Sequence, residues 1–471
     1  MTLRLPVPGS AGARRARTTT TALTLLALLA GPVVAPGRAA AGSDPTGAPA
    51  AGRDADGTRQ SIRVANPYLG TRAYVNPEWS ARAAAEPGGA AVANQPTAVW
   101  LDQIAAIAGT PDRMGLDAHL GAALDQGAGL VQLTLYNLPG RDCERRVSFG
   151  ELAVDEVDRY RTEFVDPIVE ILADPRYQNL RIVVVVEPNS LPNLVTHTSP
   201  RPAATAGCDQ AKARGSYLTA IGYALARLAT VPNVYAYLDA SHHGQLGWST
   251  DGAAAASLLH QAANTAGSTQ WAVQGFTVNV ANYSVLREPY LDVDDVVDGQ
   301  PVRDTSWIAG NGYVDELPYA QRLRQLLVAA GFSSRVGMVV DTSRNGWGGP
   351  DRPTGPGPST TAEEYVEAGR TDRRGYLGNW CNQVGAGLGE RPVAAPAPGV
   401  HAYAWIKPPG ESDGGSSVLN PDRRYEPMCD PTYRPAPFPT VTSGAMPNAP
   451  MFGEWFPPHF RQLLQNAWPP L

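Results

Sequence analysis

The sequence predicts an α/β protein whose core is a closed or nearly closed barrel of parallel strands. Short apolar runs rich in β-branched residues alternate with amphipathic segments of helical period, a pattern typical of parallel strands joined by helices. The runs are apolar on both faces, so each strand should be covered on both sides. A barrel surrounded by helices satisfies this requirement better than an open sheet with one exposed face.

Six apolar runs are expected to form strands, and the amphipathic segments between them are expected to form helices. The strand runs are Leu130–Leu138, Arg181–Glu187, Asn233–Leu238, Ala272–Val280, Arg335–Val340 and His401–Ile406. The helical segments include Val157–Leu172, Gly215–Leu228 and Tyr319–Ala330.

Polar side chains follow each of the six runs at the point where the strand should end. They include Asp142 after the first run, Asn189 after the second, Asp239 after the third, and Lys407 with Asp413 after the last. The carboxyl ends of parallel barrel strands meet at one rim, which is where the active sites of such barrels lie. The sequence therefore predicts a functional site at this rim.

The N-terminal residues of the chain predict an exported protein. Arg14, Arg15 and Arg17 precede the apolar run Ala22–Ala30, and small residues follow at Ala39–Ala41, which is typical of a signal peptide over residues 1–41. Residues 42–60 are rich in Gly, Ala and Asp and are expected to form a flexible leader. A single catalytic domain is expected over residues 61–471, acting outside the cell as a monomer and free of the membrane after export.

Charge and cysteine content narrow the possible ligands. Loss of the signal peptide removes five Arg and no acid, so the formal charge falls from −6 to −11. This balance argues against nucleic acid or anionic lipid and permits a neutral substrate. The four cysteines suggest two disulfides in an exported chain, with three pairings possible. No CxxC motif occurs and the His residues are scattered, so neither a metal nor another cofactor is expected.

Carboxylates on one rim, without a nucleophile elbow or a phosphate loop, indicate acid–base chemistry. Four tryptophans lie near these positions in sequence: Trp248, Trp347, Trp380 and Trp405. Flat aromatic rings beside carboxylates suit sugars, whose C–H faces stack on the rings while their hydroxyls bond to the acids. Trp347, in a Gly-rich segment, is predicted to be an exposed platform of this kind.

Six segments resemble motifs of glycoside hydrolase family 6, a family of cellulases. They begin at Leu135 (LYNLPGRDC), Val184 (VVVEPNSLPNLVT), Tyr237 (YLDASH), Asn279 (NVANY), Asp341 (DTSRNG) and Trp405 (WIK, continuing to ESDG at Glu411). The likeness extends from about Asn66 to the end of the chain.

The resemblance implies an inverting β-1,4-glucanase on a distorted (β/α) barrel of about seven parallel strands, with active-site loops at the C-terminal rim. Cellulose or cello-oligosaccharides would be the partner. Disulfides would join Cys143 to Cys208 and Cys381 to Cys429. The long loops around Trp380 and before Cys429 resemble those of exo-acting bacterial members, which favours release of cellobiose from chain ends over internal cleavage.

The resemblance also implies catalytic roles for individual residues. Asp142 would raise the pKa of the catalytic acid and take part in accepting the proton of the attacking water. Tyr136 would lie near the distorted sugar, and Ser148 would help to hold the water. Asp413 is the other candidate base.

Substrate-binding roles follow in the same way. Trp380, Lys407 and Glu411 would grip the glucosyl unit on the non-reducing side, and Trp248 would stack a sugar on the product side. Four more rim residues are predicted to bind substrate: Asp239, His242, Asn279 and Asn282.

The chain departs from the family pattern at the position of the catalytic acid, where Asn189 replaces Asp. An amide has no proton to give at neutral pH, and inverting hydrolysis needs an acid and a base. Three explanations are open: lost or very slow turnover, a remodelled site in which Asp142, Asp239 or Glu144 is the acid, or deamidation of Asn189 to Asp.

Other positions in the predicted cleft also depart from the pattern. Glu144 replaces a small residue, Gln245 a Trp, Phe149 an Asn and Val278 a Thr. Two functions therefore compete, a β-glucan hydrolase and a non-catalytic β-glucan-binding protein descended from one. The absence of nucleophile and metal motifs disfavours a third, a barrel hydrolase of esters or phosphates.

Overall fold

The computed structural model describes residues 63–145, 148, 150–416, 425–435 and 438–471. The predicted signal peptide and leader lie outside these residues, as does Phe149. The strands, in chain order, are β1 (Val99–Leu101), β2 (Leu130–Leu135), β3 (Arg181–Val186), β4 (Val234–Asp239), β5 (Val273–Val278), β6 (Val296–Val297), β7 (Gln300–Pro301), β8 (Gly337–Asp341), β9 (Val393–Ala397) and β10 (Val400–Ala404).

Helices connect most of these strands. The α-helices, in chain order, are α1 (Pro77–Ala85), α2 (Ala105–Ala108), α3 (Leu116–Asp125), α4 (Val157–Arg159), α5 (Asp166–Leu172), α6 (Asn193–Thr196), α7 (Ala206–Arg214), α8 (Ser216–Leu228), α9 (His243–Leu246), α10 (Asp251–Ala263), α11 (Glu316–Ala329), α12 (Ala362–Gly369) and α13 (Pro457–Gln465). Short 3₁₀ segments lie at Gly89–Ala91, Pro175–Tyr177, Gln270–Ala272, Val302–Asp304 and Pro427–Cys429.

The main sheet has eight strands in the order β1-β2-β3-β4-β5-β8-β10-β9. All neighbours pair in parallel except β9, which is antiparallel to β10 at the edge. A parallel bridge between Thr97 and Trp405 links the chain before β1 to the chain after β10. The predicted distorted barrel with seven parallel strands is therefore confirmed.

All six predicted strand runs form strands, but β1 and β9 of the main sheet and the two-residue strands β6 and β7 were not predicted. β1 has only three residues, which is too short for a periodic signal. β9 contains Pro396, and a proline is tolerated in a sheet only at an edge such as this.

The three predicted helical segments are confirmed. The first is helical from Val157 to Leu172 but passes through a π-helical turn at Tyr160–Val165. Pro167 lies in the first turn of α5 and has no N–H to continue the regular ladder into the preceding turn, which accounts for the altered hydrogen-bond spacing there.

The strands are buried on both faces, as their apolar sequences require. In β3 the alternate residues Ile182, Val184 and Val186 pack in the large core between sheet and helices. Val183 and Val185 point the other way, into a barrel interior shared with aromatic side chains. Burial of each such valine stabilises the fold by roughly 1.5–3 kcal/mol.

Two disulfides fasten loops that follow strands. Cys143, after β2, is bonded to Cys208 in α7, and Cys381 is bonded to Cys429. Both pairings are those implied by the family resemblance. Within the part of the chain that the structure describes, no helix has the length and apolar character needed to cross a membrane.

A buried carboxylate at the end of β8 holds three loops of the rim together. Asp341 is 1% exposed. Its Oδ1 accepts the backbone N–H of Ser343 at 3.0 Å and of Ile406 at 3.3 Å. Its Oδ2 accepts those of Ala281 and Lys407, each at 3.0 Å. Because these residues follow β5, β8 and β10, one side chain fixes the relative positions of three strand ends.

Asp341→Asn should lower the free energy of unfolding by about 2–4 kcal/mol, because the new NH₂ group would face two backbone N–H donors that lose their acceptor in a buried site. Urea denaturation followed by tryptophan fluorescence measures this change. Asp304→Asn is the matched control, since Asp304 is exposed on the surface. Equal stability of the two variants would contradict the structural role of Asp341.

Candidate active site

An elongated cleft of about 1200 Å³ opens at the carboxyl ends of the strands. Trp248 and Trp380 line it, as predicted from their positions in the sequence. Trp347 and Trp405 do not, because they are 1% and 0% exposed and pack in a core beneath α13. The prediction that Trp347 is an exposed platform is therefore wrong. Its Gly-rich neighbourhood reflects close packing, and its indole N–H donates to the Tyr283 carbonyl at 2.6 Å.

The backbone at the strand ends is strained. Asp142, Asn189, Ser241 and Asn279 have φ values of 56°, 54°, 60° and 62°, in the left-handed region that costs energy for residues with a Cβ. Each follows a different strand. Strained non-glycine residues concentrate at functional sites, where the fold holds them in place.

Asp142 and Tyr136 form one hydrogen-bonded pair after β2. Tyr136 Oη donates to Asp142 Oδ1 at 2.5 Å, and both residues are buried. The guanidinium groups of Arg145 and Arg141 lie 3.4 Å and 3.7 Å from the carboxylate oxygens. Among the described residues, none donates a hydrogen bond to Asp142 Oδ2, so this buried oxygen has an unused acceptor position.

Tyr136 lines the cleft, whereas Asp142 is not among its lining residues. Asp413 does line the cleft and is held more tightly than Asp142. Arg344 contacts its two carboxylate oxygens at 2.7 Å and 2.9 Å, and Tyr283 Oη donates to Oδ2 at 2.8 Å. Burial alone would raise the pKa of Asp413, but the charges of Arg344 and Lys407 hold that pKa below its ordinary value. Asp413 is therefore ionised at neutral pH, and its basicity is weakened by its partners.

Asn189 lines the cleft, and hydrogen bonds hold its backbone in place. Its N–H donates to Asp239 Oδ2 at 3.1 Å, and its carbonyl accepts from Asn193 Nδ2 at 2.8 Å. No described residue hydrogen-bonds to its side-chain amide, which faces the cleft. The side chain is thus available to a ligand but carries no acidic proton.

Several predicted substrate-binding residues line the cleft, whereas others lie beneath it. His242 and Asn282 line it. Asp239 and Asn279 are buried, and their polar atoms contact neighbouring loop backbone, so they support the cleft from below. Burial raises the pKa of Asp239 to about 7.

Lys407 and Glu411 lie in an adjoining cavity of about 390 Å³. Lys407 Nζ is 3.2 Å from Glu411 Oε2 and 5.2 Å from the centre of the Trp100 ring. Trp100 and Phe452 line both the cavity and the main cleft, so the two spaces adjoin at these rings. Trp100 comes from β1, the short strand that the sequence did not predict.

Ser148 is exposed, and its hydroxyl donates to the Arg141 carbonyl at 2.7 Å. This bond closes the loop that carries Asp142. A ligand water would therefore have to share the Ser148 hydroxyl with the loop backbone.

Glu144, Asn193 and Gln245 form a hydrogen-bonded cluster at the cleft that the sequence did not predict. Asn193 Nδ2 donates to Glu144 Oε2 at 2.7 Å, and Gln245 Nε2 donates to Asn193 Oδ1 at 2.7 Å. The Arg145 guanidinium lies over the Trp380 ring, 4.2 Å from its centre. One face of the predicted sugar platform is thus occupied by a cation. Within the described residues, no cluster of His, Cys, Asp and Glu could hold a metal ion.

A parallel barrel with an open rim cleft, lined by carboxylates and tryptophans, defines a protein built to bind and act on a sugar chain. The model of the family "Glycosyl hydrolases family 6" matches residues 62–467. The chain therefore belongs to glycosyl hydrolase family 6.

The relatives agree with this assignment. Exoglucanase A of Cellulomonas fimi is 44% identical over 433 residues, which cover 87% of this chain and 49% of that protein. The 1,4-β-D-glucan cellobiohydrolase C of Emericella nidulans is 34% identical, covering 86% of this chain and 79% of that protein. The chain thus spans about half the length of the bacterial relative.

Solved structures share the whole fold. The catalytic domain of Cellulomonas fimi Cel6B superposes with a TM-score of 0.83 at 42% identity, covering 87% of this chain and 97% of that one. Cellobiohydrolase II (Cel6A) of Humicola insolens, solved with glucose and cellotetraose, has a TM-score of 0.66 at 29% identity, with 86% and 100% covered.

Trp248→Ala should weaken cellotetraose binding about 5- to 10-fold, because aromatic stacking in such a cleft contributes about 1 kcal/mol or slightly more. Isothermal titration calorimetry measures the dissociation constant. Trp271→Ala is the control, since this tryptophan is 71% exposed and precedes β5, at the opposite end of the barrel. The same affinity in both variants would remove Trp248 from the sugar-binding surface.

Proposed function

We propose that the chain is a secreted, inverting β-1,4-glucan hydrolase that releases cellobiose from the ends of cellulose chains. The observation that carries the proposal is the pairing of Asp142 with Tyr136 beside a cleft with tryptophan walls. A buried carboxylate with one oxygen free of hydrogen-bond donors among the described residues is what an attacking water needs as proton acceptor.

The chemistry follows from the two aspartates. Asp142 takes the proton of the water that attacks the anomeric carbon, through its free Oδ2. Asp413 is the weaker base, because its ion pair with Arg344 stabilises the carboxylate. Its fixed negative charge instead favours the positive charge that develops on the sugar ring in the transition state.

Chain-end attack is supported by the loops beside the cleft. The disulfide Cys381–Cys429 ties the loop of Trp380 to the loop that carries Glu426 and Met428, and these side chains line one wall of the cleft. Loops fixed in this way restrict how a polymer enters. Export is supported by the two disulfides, which persist in oxidising compartments.

A second candidate function is sugar binding without turnover, and Asn189 favours it. At the position that the family resemblance gives to the proton donor, an amide cannot supply the proton that the leaving glycosidic oxygen needs. Such a protein would keep the cleft and its tryptophans while cleavage became very slow.

Product release from cellohexaose by the wild type, Asn189→Asp and Asp142→Asn separates the two functions. The hydrolase is expected to release cellobiose with inverted anomeric configuration, followed by NMR. Asp142→Asn should lower the rate at least about 100-fold, as loss of a general base does, whereas the surface control Asp304→Asn should not change it.

Other outcomes identify the alternatives. A silent wild type that binds cellotetraose, beside an active Asn189→Asp variant, would establish a binding protein. A wild type and an Asn189→Asp variant that are both silent would contradict a family mechanism in this cleft.

A further inference from the structure

The side chain of Asn193 contacts three residues that depart from the family pattern: Glu144, Asn189 and Gln245. Asn193 Nδ2 contacts Glu144 Oε2 at 2.7 Å and the Asn189 carbonyl at 2.8 Å, and Asn193 Oδ1 accepts from Gln245 at 2.7 Å. Glu144, Asn189 and Gln245 are thus neighbours in one hydrogen-bonded group. A site that had merely decayed would not be expected to gain a carboxylic acid that shares a hydrogen-bond donor with the backbone of the residue that replaced one.

Glu144 is held less tightly by a cation than two other carboxyl groups that line the cleft, those of Asp413 and Asp251. Asp413 is bound by Arg344, and Asp251 forms an ion pair with Arg201. Glu144 Oε2 is held by a neutral amide, and its Oε1 forms a longer ion pair with Arg145, at 3.5 Å from Nε, than the 2.7 Å pair between Arg344 and Asp413. Its side chain is 19% exposed, so it reaches the cleft without being freely solvated.

Resting on the proposed function, we propose that Glu144 donates the proton to the leaving glycosidic oxygen, the role that Asn189 cannot fill. The Glu144 O–H bond breaks as its proton passes to the glycosidic oxygen, and the bond from that oxygen to the anomeric carbon breaks with it. The attacking water forms the new bond to that carbon and loses a proton to Asp142. Glu144 is left as a carboxylate and regains its proton from solvent.

The surroundings of Glu144 favour its neutral form. The ionisable groups that face it are Asp142, Arg145, Glu426 and Tyr217. Burial, followed by the negative charge of Asp142, raises the pKa of Glu144 to about 7, while Arg145 opposes the shift. Glu144 would thus hold its proton in mildly acidic solution. Activity should fall as the pH rises through about 7, because the acid then ionises.

Glu144→Gln tests the proposal with two substrates of different leaving group. The glutamine oxygen can still accept the Asn193 hydrogen bond, so the fold should persist, and thermal melting checks this. On cellohexaose, whose leaving alkoxide needs a proton, kcat/KM should fall about 100-fold or more. On 2,4-dinitrophenyl β-cellotrioside, whose phenolate leaves unprotonated, the rate should change less than about threefold, in keeping with a role confined to proton donation. The fall of activity above pH 7 should also disappear on the second substrate.

Glu170→Gln is the control, since Glu170 is exposed on α5. An equal loss on both substrates would make Glu144 a structural residue and overturn the proposal. So would an unchanged rate on cellohexaose, which would assign the proton to another group. A wild type that cleaves only the dinitrophenyl substrate would overturn Glu144 as donor while leaving water attack intact. A wild type inactive on both substrates would overturn the proposed function itself.

Discussion

The rim of this barrel depends on buried carboxylates that accept backbone N–H groups from neighbouring loops. Glu187, after β3, accepts those of Asn137 and Leu138, which follow β2. Asp239, at the end of β4, accepts that of Asn189, which follows β3. Asp341, at the end of β8, does the same for the loops after β5 and β10, as described above. Parallel strands bring these ends together, and loops that leave a sheet have N–H groups without ladder partners. A carboxylate on the next strand supplies the missing acceptor.

This arrangement separates two kinds of acidic residue that look alike in sequence. Burial raises the pKa of both Glu187 and Asp239 to about 7, yet neither lines the cleft. Their oxygens accept from backbone N–H groups and from the hydroxyls of Tyr160 and Thr277, respectively. A raised pKa therefore does not identify a catalytic acid in this fold. What distinguishes Glu144 is its position, with a carboxyl group that reaches the cleft and accepts one hydrogen bond from a neutral amide.

The sequence predicted the secondary-structure elements that have strong local patterns. It did not predict the features that depend on contacts between residues far apart in the chain. Six strands and both disulfides were predicted, since the strands carry long apolar runs and the family resemblance implies both cysteine pairings. β1 escaped prediction because three residues carry no period, although it contributes Trp100 to the cleft. The prediction that Trp347 is exposed was wrong because a Gly-rich segment can be either exposed or tightly packed. The contacts of Trp347 with α13 show that this segment is packed. Likewise, nothing local in the sequence indicates that Glu144 and Gln245, about a hundred positions apart, share Asn193.

The same contacts bear on how a sugar chain would bind. Arg145 lies over Trp380 and also beside Asp142 and Glu144, so this one cation links the predicted sugar platform to both acidic groups. A sugar that stacks on the same face of Trp380 must displace the guanidinium. Its departure would remove a positive charge from Glu144 and raise the pKa of that carboxyl group further. Binding at the platform would thereby favour the protonated acid at the moment when a proton is needed. The substitutions at Glu144 and Asn189 are consequently better explained as a coupled rearrangement of the site than as two independent changes.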